Sequence, residues 1–161
     1  MNNNKAVLGW REWLDFPDLG ISQVKAKVDT GARTSCLHAF YVRVFERDNV
    51  TWVRFGIHPQ QNDLTQEVHC EALLKDQRTV RDSGGHEEFR YVIETAISIG
   101  ERLHLAEVTL TDRDSMKFRA LLGRTAIRGN YVVDPGRSYV QGRRKKKVKS
   151  SSKNGADALE Q

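Results

Sequence analysis

Val24, Ala26 and Val28 alternate with Lys25 and Lys27, the period-two signature of a strand with one apolar and one charged face. That strand runs into Asp29-Thr30-Gly31, so the pattern ends on a tight turn that carries a carboxylate. The longest alternation spans Phe89 to Ile99. Phe89, Tyr91, Ile93, Thr95, Ile97 and Ile99 fall on one face and Arg90, Glu94 and Ser98 on the other. Gly100-Glu101 then predicts a turn, Leu103 to Thr111 the hairpin mate, and Phe118 to Leu122 a further strand after the polar loop Thr111 to Ser115. An earlier hairpin is expected from Val42 to Phe45 and Trp52 to Phe55 around Asp48-Asn49, and a strand at Tyr131 to Val133. Serial hairpins imply antiparallel sheet. One short helix is predicted, Thr125 to Arg128, ending at Gly129-Asn130 where a left-handed residue is easily placed. Many short strands and one helical turn predict an all-β fold, a small closed or partly open barrel.

The chain has 161 residues, enough for one domain with a real core and too few for two. Its net charge of +5 is unevenly spread. From Gln141 onward there are 7 of the 26 basic residues and 2 of the 21 acidic ones, which leaves 19 of each sign in the body. The expected organisation is therefore a flexible N-terminus at 1–7, a folded domain at 8–140 and a disordered basic tail at 141–161. A balanced body is unlike a basic nucleic-acid-binding fold. The tail suits weak, salt-sensitive contact with nucleic acid or the ribosome; the competing reading is a solvated solubility tail. No apolar run reaches membrane-spanning length and no signal-peptide core follows Met1, so a cytoplasmic protein without membrane partners is expected. Cys36 and Cys70 are too few for a disulfide framework and read as small buried residues.

Downstream of the Asp29 turn lies Ala120-Leu121-Leu122-Gly123-Arg124. Two apolar residues followed by Gly suit a strand packed beneath that turn, with no side chain where the backbones approach. Between the two lies Ser83-Gly84-Gly85-His86, a hairpin tip between two strand-like arms. Asp29-Thr30-Gly31, the Gly-Gly tip and Gly123-Arg124 occur in the order shown by retropepsin-type aspartic proteases, which the chain resembles. It is closer still to a bacterial family often labelled putative ATP-dependent zinc protease. That likeness rests on Gly9-Trp10-Arg11-Glu12, Lys27 to Ser35, Arg90-Tyr91-Val92-Ile93 and Arg113 to Arg119, and runs from about Leu8 to Val140.

The resemblance implies a retropepsin-like barrel and an aspartic endopeptidase that is active as a homodimer. Asp29, Thr30 and Gly31 would be catalytic, with Asp29 of two chains forming a dyad. Gly84 and Gly85 would tip a flap, against the plainer reading of an ordinary hairpin turn. Arg33, Arg81 and Arg124 are auxiliary candidates for substrate binding, Arg124 equally as a structural arginine. The chain carries no His-Glu-x-x-His and no phosphate-binding Gly-Lys-Ser/Thr loop, so neither metal nor cofactor is assigned, despite the zinc-compatible spacing of Cys36 with His38 and His69 with Cys70. In genomes the family accompanies ligases that add glutamates to a ribosomal protein, so the resemblance implies a peptide or protein substrate with an acidic, oligoglutamate tail. Arg78 and Arg90 on the hairpin arms suit carboxylates, whereas Glu87 and Glu88 oppose them. The alternative function is an inactive retropepsin-like module that binds acidic peptides or ribosomes.

Overall fold

The computed structural model describes residues 4–81, 84–112 and 117–143. Ser83, the 113–116 part of the Arg113 to Arg119 run, and the tail beyond Arg143 lie outside the described residues. Twelve strands and one helical turn follow in order: β1 Ala6–Leu8, β2 Arg11–Phe16, β3 Ile21–Val28, β4 Ser35–Ala39, β5 Tyr41–Arg47, β6 Val50–Ile57, β7 Val68–Leu73, β8 Asp76–Arg81, β9 Glu87–Ile99, β10 Arg102–Asp112, β11 Ala120–Leu122, α1 Arg124–Ile127 and β12 Tyr131–Val133. A 3-10 turn at Pro17–Leu19 links β2 to β3.

Six strands pair around a ring in the order β10, β4, β11, β3, β2, β9 and back to β10, with β8 added outside β9. The ring is pinched at one seam, where β2 meets β9 through the single pair Asp15 and Ser98. This is the partly closed all-β barrel that the pattern predicts, of the retropepsin-like kind that the resemblance implies. Val24, Ala26, Leu37, Ile93, Ile97, Val108 and Leu122 fill it, each less than 2 % exposed. Strands β5, β6 and β7 form a separate three-stranded sheet, whose Val53, Phe55 and Ile57 are also in the core.

Two hairpins follow the turn chemistry directly. Asp48 and Asn49 both adopt positive φ, 55° and 65°, and join strands in which Val42 faces Phe55 and Phe45 faces Trp52. Two left-handed residues match the natural twist of a two-residue hairpin. Gly100, at φ 57°, does the same where Ile99 pairs with Arg102.

The predicted hairpins are antiparallel, as expected, but three other pairings are not. β1 with β12, β4 with β10 and β3 with β11 are parallel, because the chain returns to the sheet through long crossovers as well as hairpins. The expected boundaries also shift. Ala6 and Val7, assigned to a flexible leader, are in β1 beside Tyr131 and Val132. Gln141, assigned to the tail, donates its side-chain amide to the Val7 carbonyl at 2.7 Å. Its N–H goes to Glu12. Glu12 is fully buried and also accepts from the N–H groups of Gly9 and Val140 at 2.6 and 2.9 Å. A buried carboxylate is tolerable when hydrogen bonds replace its water, and this one ties both ends of the domain together.

Candidate active site

The parallel β3–β11 ladder pairs Ala26 with Ala120 and Val28 with Leu122. It extends one step further, since Asp29 N–H donates to the Leu122 carbonyl at 2.9 Å. The chain then turns sharply, with Ala32 N–H donating to the Asp29 carbonyl at 3.2 Å and Gly31 N–H to Asp29 Oδ1 at 2.9 Å. An Asp side chain that accepts from the backbone two residues ahead is common turn chemistry, and here it also fixes the direction of the carboxylate. A Cβ on Gly31 would stand 3.2 Å from that oxygen. Asp29 is half-buried, while Thr30, Gly31 and Arg33 are exposed.

Gly123 explains why this turn sits where it does. A Cβ there would lie 2.5 Å from the Thr34 carbonyl carbon and 2.8 Å from Ser35 N, so only a glycine lets the two backbones pass. Gly123 N–H donates to Ser35 Oγ at 2.9 Å in a buried bond. The next two N–H groups, of Arg124 and Thr125, donate to the carbonyls of Ala32 and Arg33 at 2.7 and 2.9 Å. The first N–H groups of a helix have no partner within it; here the turn supplies them. The Arg124 guanidinium donates to the Thr30 carbonyl at 2.9 Å. Asp29, Thr30, Gly31, Arg33 and Arg124 are thus brought together. Ser35 belongs to the same network, although its type alone gave no reason to assign it a role.

Arg81, Gly84 and Gly85 lie on a different element, the β8–β9 hairpin. Gly85 has φ 85°, so a glycine suits its tip. Arg81 stands opposite Glu87 in the ladder and its guanidinium pairs with that carboxylate. At the root, Lys75 bridges Glu94 and Glu107 at 3.2 and 3.1 Å, and Arg78 bridges Asp76 and Glu107 at 3.0 and 2.9 Å. The Arg78 guanidinium, with Lys75, holds the Glu107 carboxyl below the usual carboxylate range. The Gln77 N–H, then Arg78, does the same for Asp76. Arg81 is therefore partnered within the hairpin and Arg78 by Asp76 and by Glu107 of β10, and Arg90 donates to Glu88 and Thr109 at 3.2 and 3.4 Å.

The zinc-compatible pairs do not converge. Cys36 Sγ is 4.0 Å from His38 Nδ1, and burial pushes the Cys36 thiol up. His38 Nδ1 is bound to Thr111 Oγ1 at 2.7 Å. His69 and Cys70 point to opposite faces of β7: the ring contacts Tyr41 and Glu67, while the Cys70 thiol lies against the Leu19 carbonyl and is pushed up to about 12 by burial. No three His, Cys, Asp or Glu side chains gather as a metal site among the described residues. Two clefts, of about 690 and 340 Å³, are lined by residues such as Gly100, Leu103 and Gln141 or Trp13, Lys25 and Gln61; the Asp29 turn lines neither. Among the described residues no helix is long and apolar enough to cross a membrane.

Comparison with known proteins agrees with this geometry. Residues 7–144 match the RimB-like family model, described as retropepsin-like aspartic endopeptidase RimB. A protein of Shewanella pealeana named probable alpha-L-glutamate ligase is 44% identical over 142 residues, 88% of this chain and 31% of the relative. One of the same name from Desulfotalea psychrophila is 41% identical over 131 residues, 81% of this chain and 28% of the relative. The chain thus spans about a third of the length of the curated relatives it matches. A solved structure of a Legionella pneumophila protein of unknown function superposes with a TM-score of 0.70 at 26% identity, covering 86% of this chain and 99% of that one.

Proposed function

The chain belongs to the RimB-like family of retropepsin-like aspartic endopeptidases, and from that membership we propose that it hydrolyses peptide bonds with two Asp29 carboxylates, one from each subunit of a homodimer. The observation that carries this reading is the braced, exposed turn in which Gly31 N–H orients Asp29 Oδ1 and Gly123 lets β11 pass beneath. One chain supplies one such carboxylate. Two placed close together cannot both ionise, because like-charge repulsion raises one pKa, so the pair holds a single proton over a wide pH range. The ionised Asp29 takes a proton from water as the water attacks the peptide carbonyl carbon. The protonated Asp29 gives its proton to the carbonyl oxygen. The tetrahedral diol collapses as a proton reaches the amide nitrogen and the C–N bond breaks.

Thr30 would steady the dyad across the two-fold axis, and the β8–β9 hairpin with Gly84 and Gly85 would close over substrate. Arg33 on the turn, Arg124 beside it and Arg81 on the hairpin would select acidic peptides, Arg81 by exchanging Glu87 for a substrate carboxylate. The relatives named glutamate ligase support a substrate made by adding glutamates, such as a glutamate-tailed ribosomal protein in the cytoplasm. The test is mass-spectrometric detection of cleavage of an oligoglutamate-extended peptide, with and without chelator. Wild type should cleave regardless of chelator, and Asp29→Asn should lose about a thousandfold or more in rate while keeping its circular dichroism spectrum. Turnover retained by Asp29→Asn would refute the aspartic mechanism.

A further inference from the structure

The β5–β6–β7 sheet turns one face to the core and the other to solvent. Inward, Val53, Phe55, Ile57 and Cys70 are buried. Outward, the register sets Arg43 beside Arg54 and Phe45 beside Trp52, with Tyr41 and Arg47 at the two ends of β5. Arg43, Arg47 and Arg54 are exposed; Tyr41, Phe45 and Trp52 are half-buried and line the same surface. The Arg43 guanidinium is 5.3 Å from the Tyr41 ring centre, and that of Arg47 is 5.1 and 4.9 Å from Phe45 and Trp52. The carboxylate among these arginines is Glu71, which bridges Arg47 and Arg54 at 2.9 and 3.2 Å, while Glu67, one residue before β7, meets His69 beside Tyr41 at the end of the same face. Three guanidinium groups against these two carboxylates leave an excess of one positive charge on this face of a body whose 19 basic and 19 acidic residues balance overall.

None of these rings is needed to fill the core, since the opposite face of the same strands does that. Rings interleaved with arginines on an open sheet are what single-stranded nucleic acid binds: bases stack on the rings and phosphates meet the guanidinium groups. An acidic peptide would use the charges and gain nothing from the rings. A duplex keeps its bases stacked inside, out of reach of them. Splayed single strands presented by loops are chiefly a property of RNA.

We propose that the outer face of the β5–β6–β7 sheet binds single-stranded RNA, with bases on Trp52, Phe45 and Tyr41 and phosphates on Arg43, Arg47 and Arg54. Arg47 covers Trp52 in the free protein, so an incoming base either displaces it to a phosphate or stacks on its guanidinium plane. This site is separate from the basic tail and does not depend on peptide hydrolysis.

Fluorescence anisotropy of the full chain with a labelled, unstructured RNA of about twelve nucleotides tests this. The same RNA annealed to its complement, DNA of the same sequence and oligoglutamate serve as competitors. The single-stranded RNA should bind and each competitor should displace it poorly. Trp52→Ala should weaken binding about ten-fold. Arg43→Gln with Arg54→Gln should weaken it and flatten its salt dependence. Because those two arginines are exposed, the double variant keeps the test valid should Trp52→Ala unfold. Wild-type affinity in the double variant would place any binding on the tail and overturn the proposal. Equal competition by duplex or oligoglutamate would reveal simple polyanion attraction, and equal competition by DNA would remove the assignment to RNA; either overturns it.

Discussion

The Asp29 turn and the β8–β9 hairpin both end in exposed loops, yet different forces hold them. At the turn, the Leu122, Ala32 and Arg33 carbonyls accept from backbone N–H groups, and Ser35 Oγ satisfies Gly123 N–H in a buried bond. At the hairpin, Ile93 and Thr95 are buried where β9 belongs to the barrel, while Phe89 is 56% exposed nearer the tip. There the two arms rely on their ladder and on the exposed Arg81–Glu87 ion pair across it. Exposed pairs stabilise weakly; buried backbone groups are costly to leave unpaired. One region is preorganised and the other can move at small cost. The proposed site, which would keep a carboxylate still while admitting a polypeptide, would need both.

Gly123→Ala should damage the rigid half most. Its methyl would overlap the Thr34 carbonyl, and the forced backbone shift should cost about 3 kcal/mol, read as a Tm lower by about 10 °C. An unchanged Tm would mean that the close approach does not constrain the turn. Ser35→Ala should cost less, about 1–3 kcal/mol, by stranding the buried Gly123 N–H, and chemical denaturation would detect it. A null result would assign the bracing to backbone bonds alone.

Acid should act on the hairpin root. Asp76 and Glu107 have depressed folded-state pKa values, so their contribution is complete above the ordinary carboxylate pKa of about 4 and is lost as pH falls through the lowered values. Lys75 is shifted up, first by Glu107 and then by Glu94, so its contribution is complete below its ordinary pKa and is lost only as pH rises through the raised one. Amide exchange in β8, corrected for intrinsic rate, should therefore increase below about pH 4 before that of Gly123 does. Simultaneous loss would contradict the division into a rigid and a movable region. Smallest of all, Arg81→Ala should leave Tm unchanged, since its side chain is 68% exposed, while raising KM for acidic peptides more than for neutral ones. Equal changes would remove Arg81 from substrate selection.

Local chemistry was readable from the chain. Asp48-Asn49 and Gly100-Glu101 mark their hairpins because positive φ favours those residue types, and Leu121-Leu122-Gly123 marks a close crossing because only glycine fits one. Long-range pairing left no such trace. Parallel partners such as Thr109 and Cys36 or Ala6 and Tyr131 are chosen by the closed barrel: Tyr131 to Val133 was legible as a strand, whereas the partner it takes in β1 was not. Glu12 stood out in the sequence only as part of the Gly9 to Glu12 run, and its burial was not legible because the N–H groups that make it tolerable come mainly from Val140 and Gln141. At the candidate site, Asp29 to Gly31 and Arg124 were legible as a motif, whereas Ser35 matters through a contact with Gly123, 88 residues away.

The central claim is that one active site needs Asp29 from two chains. Wild-type and Asp29→Asn chains, co-expressed in equal amounts so that dimers assort at random, should give about a quarter fully wild-type dimers. Activity per wild-type chain should then fall to about half that of the pure wild type. If it stays the same, so that inactive chains fail to poison active ones, the shared dyad is wrong.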